Sequence, residues 1–401
     1  MRASAHRNIR LLTWFNFCDD FRVYNAIAIV YFAQVAHSYV LAGTVFALAK
    51  VSSAVFEIPT GVLSDLVQRK ATLIAGQVAS TLAVLFYAIG GSFWFLAAGA
   101  LFEGLAFSLF SGNNDALLFD TLKGEGEELR FALFQGRLSS MFQFSLAASA
   151  VVAAFVLRIL PLAALFWISL VPKFVGLGLS FFLREPERAM RTGHGIARHL
   201  RESLLGFVRD ARLRAVTLAA VISFGIGESK FFLLPGFFAL YWPAWALGVA
   251  RFLSHLWAGV GFRLGGRIVA RIGEYAIFLG AMPFSMAMGF SAIAAANGAS
   301  PALYSLSSLP YGPANVAQSS VMQKSFTDGE RATMASLAAF AGNLFFAVAI
   351  VTLGALADRV GLRYTLLAAE ILSIPALVIY WRLFVRARKE RFAIENQAAQ
   401  G

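Results

Sequence analysis

The sequence predicts an all-α membrane protein, twelve transmembrane helices in two pseudo-symmetric six-helix bundles, and three observations predict it. Hydropathy comes first: 59% of the 401 residues are hydrophobic and only 14% are charged, whereas a soluble globular chain is about 45–50% apolar and about 25% charged. A spanning helix needs about 20 apolar residues, and such runs follow one another almost end to end. Charge is the second observation. Of 34 Lys and Arg, only Arg158, Arg359 and Arg363 fall on one side of the predicted spans and five lie within them. The rest gather on the side that carries both termini, which the positive-inside rule makes cytoplasmic. The net charge of +12 is therefore a topology signal, and no nucleic-acid partner is expected. The third observation is internal repetition. "LKGEGEELR" after the fourth span echoes "QKSFTDGER" after the tenth, with Lys123 and Lys324, Glu127 and Asp328, and Arg130 and Arg331 each 201 residues apart.

Span 1, 9–31, follows Arg2, Arg7 and Arg10 and could pass for a signal peptide. No small-residue cleavage site follows, and an acidic interruption is wrong for the apolar region of one, so it is read as the first helix. Span 2, 39–61, holds Lys50 and Glu57, seven apart and thus on one face, and leads into "EIPTGVLSDLVQRK". Span 3, 71–90, is close to uniformly apolar, as an outer helix should be. Span 4, 93–115, carries Glu103, Ser108, Ser111 and Asn113. Spans 5 and 6, 133–157 and 160–183, complete a first half, 1–183, with Lys173 inside span 6. The one long polar stretch, 184–213, joins the halves. There Ile196, Leu200, Leu204 and Phe207 recur at helical spacing with Arg198, Arg201, Arg209 and Arg212 opposite, which predicts an amphipathic helix on the cytoplasmic membrane surface. His194 and His199, five apart, share no helix face and are read as solvated. Spans 7 and 8, 214–237 and 244–263, hold Glu228, Lys230 and Arg251. Span 9, 274–294, is again apolar. Span 10, 299–321, contains "YSLSSLPYGPANVAQSS", where Pro310, Gly312 and Pro313 break the helix, as is tolerated where backbone lines a cavity. Spans 11 and 12, 332–354 and 364–385, complete a second half, 214–385, before a cytoplasmic tail, 386–401.

Cys18 is the one cysteine, which leaves no disulfide framework and no cysteine-based metal site. Five scattered His, and no Gly-rich phosphate loop, supply no nucleophile, base or metal constellation. An enzyme is not expected.

With these residues in view, the sequence resembles the major facilitator superfamily over essentially its whole length. In that family the loop after span 2 reads Gly-x-x-x-Asp-basic-x-Gly-basic-basic, preceded in some branches by Glu-x-Pro-Thr. Here Glu57, Pro59, Thr60, Gly61, Asp65, Arg69 and Lys70 supply it. "SGNNDALLFDTL" after span 4 and "ERATMASLAAFAGNLFFAVAIVTLGALADRVGLR" around span 11 are similar to one branch of bacterial members. The resemblance implies the major facilitator fold, a bacterial inner membrane, a substrate cavity between spans 1, 4, 7 and 10, and a cytoplasmic gate at Gly61, Asp65, Arg69 and Lys70. The gate also makes physical sense. Gly61 lets two helices approach closely, and Asp65 can cap a helix N-terminus and pair with Arg69. Four positions depart from the family pattern. Leu66 stands for a basic residue and Gln68 for a glycine; "GRIVARIGEY" after span 8 echoes "GVLSDLVQRK" after span 2 but has Ala270 where the acid would be, and Glu103 lies near where many members have arginine. Span 5 also lacks the Gly-Pro-rich signature of the drug–proton antiporters.

The polar groups concentrate in the four cavity spans. "NFCDDFRVYN" in span 1 sets Asp19, Asp20 and Arg22 among apolar runs, at a cost of about 8–10 kcal/mol if they were unpaired at the bilayer centre. Ten residues into a helix rising 1.5 Å per residue is near the middle of a core about 30 Å thick. Asp19 and Arg22, three apart, can pair on one face, leaving Asp20, on a stripe with Asn16 and Tyr24, free to titrate. Asp20, Glu103 and Glu228 are the expected proton carriers. Asn16, Asp19, Arg22, Tyr24, Lys230, Tyr311 and Asn315 are the expected cavity lining. Glu228 and Lys230, two apart, point to different sides and must find partners elsewhere. Repeated halves with midplane charges fit a secondary transporter working by alternating access. The expected activity is proton-coupled export of a small organic or amphiphilic solute by a monomer in the lipid bilayer, with the proton as coupling ion and no other cofactor. Proton-coupled uptake of an anionic or zwitterionic solute is the alternative, since five basic residues lie within spans. A ligand-binding receptor that moves nothing is the alternative of another class.

Overall fold

The computed structural model describes residues 2–66, 68–127, 130–185, 211–315, 317 and 331–400, and among them every regular element is helical. Each predicted span is met by a helix or by a helix broken in two. Span 1 is α1 (Arg2–Asp20), a 3-10 turn (Val23–Ala26) and α2 (Ala28–Ala36). Spans 2 and 3 are α3 (Tyr39–Leu66) and α4 (Arg69–Ile89), and span 4 is α5 (Phe93–Phe110) with α6 (Asn113–Lys123). Spans 5 and 6 are α7 (Phe131–Val156) and α8 (Ala163–Phe182). In the second half α9 (Ala211–Phe238), α10 (Ala244–Ile272) and α11 (Glu274–Ala295) form spans 7 to 9. Span 10 opens with α12 (Ser300–Ser305) and a 3-10 turn (Leu306–Ser308). Span 11 is α13 (Arg331–Val360), and span 12 is α14 (Leu362–Leu372) with α15 (Ile374–Gln400).

Each break has a local cause. Gly112 has a φ of +69°, a left-handed conformation that costs glycine little, and it separates α5 from α6. Pro375 follows the Ser373 break as the second residue of α15, where a missing N–H is harmless. In span 10 the α-helix gives way over residues 306–310 and resumes at Tyr311, so of the residues expected to break it Pro310 lies in the interruption, whereas Gly312 and Pro313 lie within the resumed helix. The break in span 1 was not anticipated, and it matters most below.

Among the described residues, seven stretches are long and apolar enough to cross a membrane by themselves: Tyr39–Glu57, Arg69–Ile89, Phe93–Lys123, Ala163–Phe182, Arg214–Phe238, Ala338–Val360 and Leu362–Arg386. The remaining predicted spans are interrupted by charge, proline or a backbone break, or show only a shorter apolar core, such as Phe144–Val156 and Leu279–Ala295. The amphipathic helix expected over 196–207 lies outside the described residues, as do Gln318, Lys324 and Asp328.

The chain divides into two compact units, Met1–Thr192 with Trp242–Phe252, and Gly193–Tyr241 with Leu253–Gly401. In the first, α5 lies along both α3 and α4, while α8 lies along α4 and α1. Gly104 permits the α3–α5 approach, since a Cβ there would run into the Ala49 carbonyl oxygen. An apolar cluster of Ile9, Leu12, Phe15, Leu73, Leu117 and Leu122 closes one end of this unit. At the other end Tyr24 stacks on Phe166, with ring centroids 4.5 Å apart, and Tyr31 and Phe32 pack on the same ring. Trp94, Phe144, Phe155 and Phe182 are more than half exposed, as suits side chains facing lipid tails. In the second unit α9 packs on α13 and α15, and α11 on α15 and α12. Val216, Ala219, Ile277, Ala376, Tyr380 and Leu383 are buried together there.

Candidate functional site

The α1 helix ends at Asp20, and Arg22 (φ −103°, ψ 87°) and Ile27 (φ −131°, ψ 7°) turn the chain out of helical geometry. Asp and Asn compete for backbone hydrogen bonds and β-branched Val23 resists the helix, so Asp19-Asp20-Phe-Arg-Val-Tyr-Asn is a locally weak stretch. A break at membrane depth requires that its loose backbone groups find partners within the protein. They find them on α8: the Val23 N–H donates to Ser169 Oγ at 3.0 Å, and the Asp19 carbonyl accepts from Lys173 Nζ at 2.5 Å.

The charges assemble on the same break. Lys173 Nζ also donates to Asp19 Oδ1 at 2.5 Å and to Ser80 Oγ at 2.7 Å. The Ser80 hydroxyl in turn donates to Asp19 Oδ1 at 2.7 Å. Arg22 reaches the other oxygen, Asp19 Oδ2, at 3.4 Å, and Glu103 Oε1 at 2.9 Å. Tyr87 donates its hydroxyl to Glu103 Oε2 at 2.7 Å, and the Arg22 guanidinium lies over the Phe107 ring. Four helices, α1, α4, α5 and α8, and the break after α1 thus meet in one chain of contacts, Lys173–Asp19–Arg22–Glu103–Tyr87. The Lys173 side chain is only 1% exposed, so this is a dry network in which each charge depends on its neighbour.

The structure brings Asp19, Asp20, Arg22 and Glu103 together as the sequence suggested, with two corrections. Asp19 is held foremost by Lys173 rather than by Arg22, whose shorter contact is to Glu103. Tyr24 is 5% exposed and packed against Phe166, so it belongs to an aromatic core rather than an open lining. Asp20 and Asn16 are partly exposed and form no side-chain hydrogen bond or ion pair among the described residues.

In the second unit Lys230 Nζ pairs with Glu370 Oε2 at 2.9 Å, with the Glu370 side chain 3% exposed. Gly289 leaves room for that carboxylate, since a Cβ there would lie 2.5 Å from Glu370 Oε1. Glu228 is partly buried on the same helix as Lys230, and Tyr311 and Asn315 are exposed. The two ion pairs are related: Asp19–Lys173 ties the first span of its half to the sixth, and Lys230–Glu370 ties the seventh to the twelfth, with the signs exchanged.

At the predicted gate, Arg69 Nε pairs with Asp120 Oδ2 at 2.8 Å. The backbone of Gly61 and Asp65 is helical within α3, and their side chains lie outside the description. The Glu185 carboxylate accepts the N–H groups of Arg69 and Lys70 at 3.0 and 2.8 Å, an anion on the N-terminus of α4. Lys70 Nζ donates to the Phe181 carbonyl. Lys50 and Glu57 do not pair with each other: Lys50 lies over the Phe107 ring, and Glu57 accepts from Ser111.

Ser80, Tyr87, Ser169 and Glu370 were missed by the sequence reading, and Lys173 was noticed without its partner. Isolated ionisable residues in otherwise apolar spans were the available signal for Lys173 and Glu370. A hydroxyl in a span gives no such signal. An open cavity of about 300 Å³ is lined by Tyr31, Gln34, His37, Gly91 and Pro161 among others; none of the site's carboxylates reaches it.

The family model described as Major Facilitator Superfamily matches residues 11–350. Among solved structures, the nucleoside transporter NupG is similar with a TM-score of 0.75 and 12% identity, over 95% of this chain and 99% of that one. A bacterial homolog of the human lysosomal transporter Spinster, inward-facing and unoccupied, gives 0.73 and 12% over 94% and 96%. A POT family transporter in complex with 5-aminolevulinic acid gives 0.75 and 12% over 96% of each chain. At such identities the likeness concerns the fold. Comparison with curated proteins gives no match.

Proposed function

This chain belongs to the major facilitator superfamily and is a secondary transporter of small molecules, and within that family we propose that it exports a small organic or amphiphilic solute in exchange for protons. The observation that carries the proposal is the standing of Asp20. Its neighbours Asp19 and Glu103 are committed to ion pairs and hydrogen bonds. Asp20 is partly exposed beside them and makes no side-chain hydrogen bond or ion pair among the described residues. A carboxylate already neutralised by a cation loses that attraction when it takes a proton, whereas one without a cation partner does not. Asp20 is accordingly the primary proton carrier, with Glu103 and Glu228 as further carriers released when their contacts open. Asn16, Arg22, Lys230, Tyr311 and Asn315 are proposed to meet the solute as the halves 1–183 and 214–385 rock about a midplane cavity. Gly61, Asp65, Arg69 and Lys70 form the proposed gate on the cytoplasmic side, in a monomer of the inner membrane with both termini inside.

Proton-coupled uptake of an anionic or zwitterionic solute drew its support from five basic residues within spans. Arg22, Lys173 and Lys230 are each paired with a carboxylate, and Lys50 lies against Phe107. These pairings leave fewer cations to receive an anion, and they favour the exporter.

The test is a thermal-shift screen of purified protein against cationic, anionic, zwitterionic and amphiphilic metabolites at pH 6 and pH 8, run on wild type and Asp20→Asn, followed by flux of the hit in vesicles. The expected result is a ligand whose stabilisation depends on pH in the wild type and not in Asp20→Asn. Unchanged proton-driven flux in both Asp20→Asn and Glu103→Gln would remove these residues from the coupling mechanism.

A further inference from the structure

We infer that Lys173 is a tethered cation filling a monovalent-cation cage at the break in span 1, and that removing its ammonium turns the cage into a site for free sodium or methylammonium. The cage is made of oxygen alone. An ammonium has three N–H donors and no acceptor, and here each donor has its own oxygen: Asp19 Oδ1 and the Asp19 carbonyl at 2.5 Å, and Ser80 Oγ at 2.7 Å. These are a carboxylate, a backbone carbonyl and a hydroxyl, the hard donors that bind hard cations. The carbonyl is the one next to the last residue of α1, so the negative end of that helix points at the ammonium.

Charge sets the valence. Asp19 is the carboxylate in contact with the ammonium, and its second oxygen is already shared with Arg22. One further positive charge neutralises the cage, whereas a divalent ion would leave an excess buried where Lys173 is 1% exposed. An ion that must enter and leave cannot be covalently attached. A protein with a lysine in this place has therefore built in the cation, and its cycle exchanges no sodium here. Lys230 makes the contrast. Its ammonium has one carboxylate oxygen, Glu370 Oε2, as its described acceptor, so it forms a pair and not a cage. The inference does not rest on Asp20 or on the nature of the solute.

The experiment needs no substrate. Full-length wild type, Lys173→Ala, Lys173→Met and Lys230→Ala are purified in detergent, and thermal unfolding is followed at matched ionic strength in choline, sodium or methylammonium chloride. Lys173→Ala is expected to melt below wild type in choline and to recover with a saturable rise of about 5–10 °C in sodium or methylammonium. Wild type and Lys230→Ala are expected to show no such difference among the salts. Asp19→Asn/Lys173→Ala, which lacks the cage's charge, is expected to be unresponsive. If Lys173→Ala does not survive purification, Lys173→Met, which keeps the apolar stem, is read for the same rise with sodium. A flat response of the surviving Lys173 variant in every salt would overturn the inference, as would an equal rise in wild type. Neither result bears on whether Asp20 carries protons, which the ligand screen tests separately.

Discussion

Replacing Lys230 with Met should destabilise the second unit strongly, and the structure sets the size of the effect. The Lys230 and Glu370 side chains are 12% and 3% exposed, 2.9 Å apart, and Glu370 Oε1 has no hydrogen-bond partner among the described residues. Methionine keeps the apolar length of lysine, so little packing is lost. What remains is a buried carboxylate without its cation and with no second donor to fall back on. Removing one partner of a buried pair costs about 3–5 kcal/mol. For a unit of this size each kcal/mol moves the melting temperature by about 2–4 °C, which places the drop at roughly 6–20 °C. Removing both charges is another matter, because an apolar pair of similar volume is often neutral or better. Lys230→Met/Glu370→Leu should therefore melt well above Lys230→Met, which makes the double-mutant cycle strongly non-additive. Gly289→Ala should act through the same carboxylate: its Cβ would lie 2.5 Å from Oε1. A loss of about 1–3 kcal/mol should shrink in a Glu370→Ala background. Tryptophan fluorescence on heating in detergent reads all of these. A Lys230→Met loss below about 1 kcal/mol, or a double variant no more stable than the single one, would refute the account of Glu370 as a buried, singly paired charge.

Two further outcomes follow from the first unit. Ser169→Ala leaves the Val23 N–H without its acceptor at membrane depth, which should cost about 1–3 kcal/mol and speed amide exchange at Val23; unchanged exchange there would show that the break does not lean on α8. Tyr87→Phe removes a hydroxyl donated to Glu103 at 2.7 Å, worth about 1.5–3 kcal/mol for a bond to a charged group. That loss should fade in a Glu103→Gln background, and equal losses in both backgrounds would mean that the hydroxyl acts elsewhere.

The parts of this molecule that were legible in the sequence are those set by composition over a local window. The apolar segments that the described helices occupy can each be read from about 20 consecutive residues. The position of Asp19, Asp20 and Glu103 along their helices was legible for the same reason, since rise is a count of residues at about 1.5 Å each. Pairing was less so. Asp19 with Arg22 was a fair expectation from a three-residue separation, but it assumed a continuous helix. The helix ends at Asp20, and Arg22 swings to Glu103, 81 residues away. Arg69 likewise reaches beyond its own stretch of chain, to Asp120 on α6, 51 residues away.

The sequence by itself determined that the chain crosses a membrane as helices, because in hydrocarbon backbone N–H and C=O groups must be satisfied by the protein, which a helix does within its own segment, and that is decided residue by residue along the chain. Only the tertiary structure decided which charges neutralise one another. Lys173 meets Asp19 across 154 residues, and Lys230 meets Glu370 across 140. Which face of one helix turns toward which neighbour depends on how small residues such as Gly104 and Gly289 let the helices approach, and no spacing within a single span carries that information.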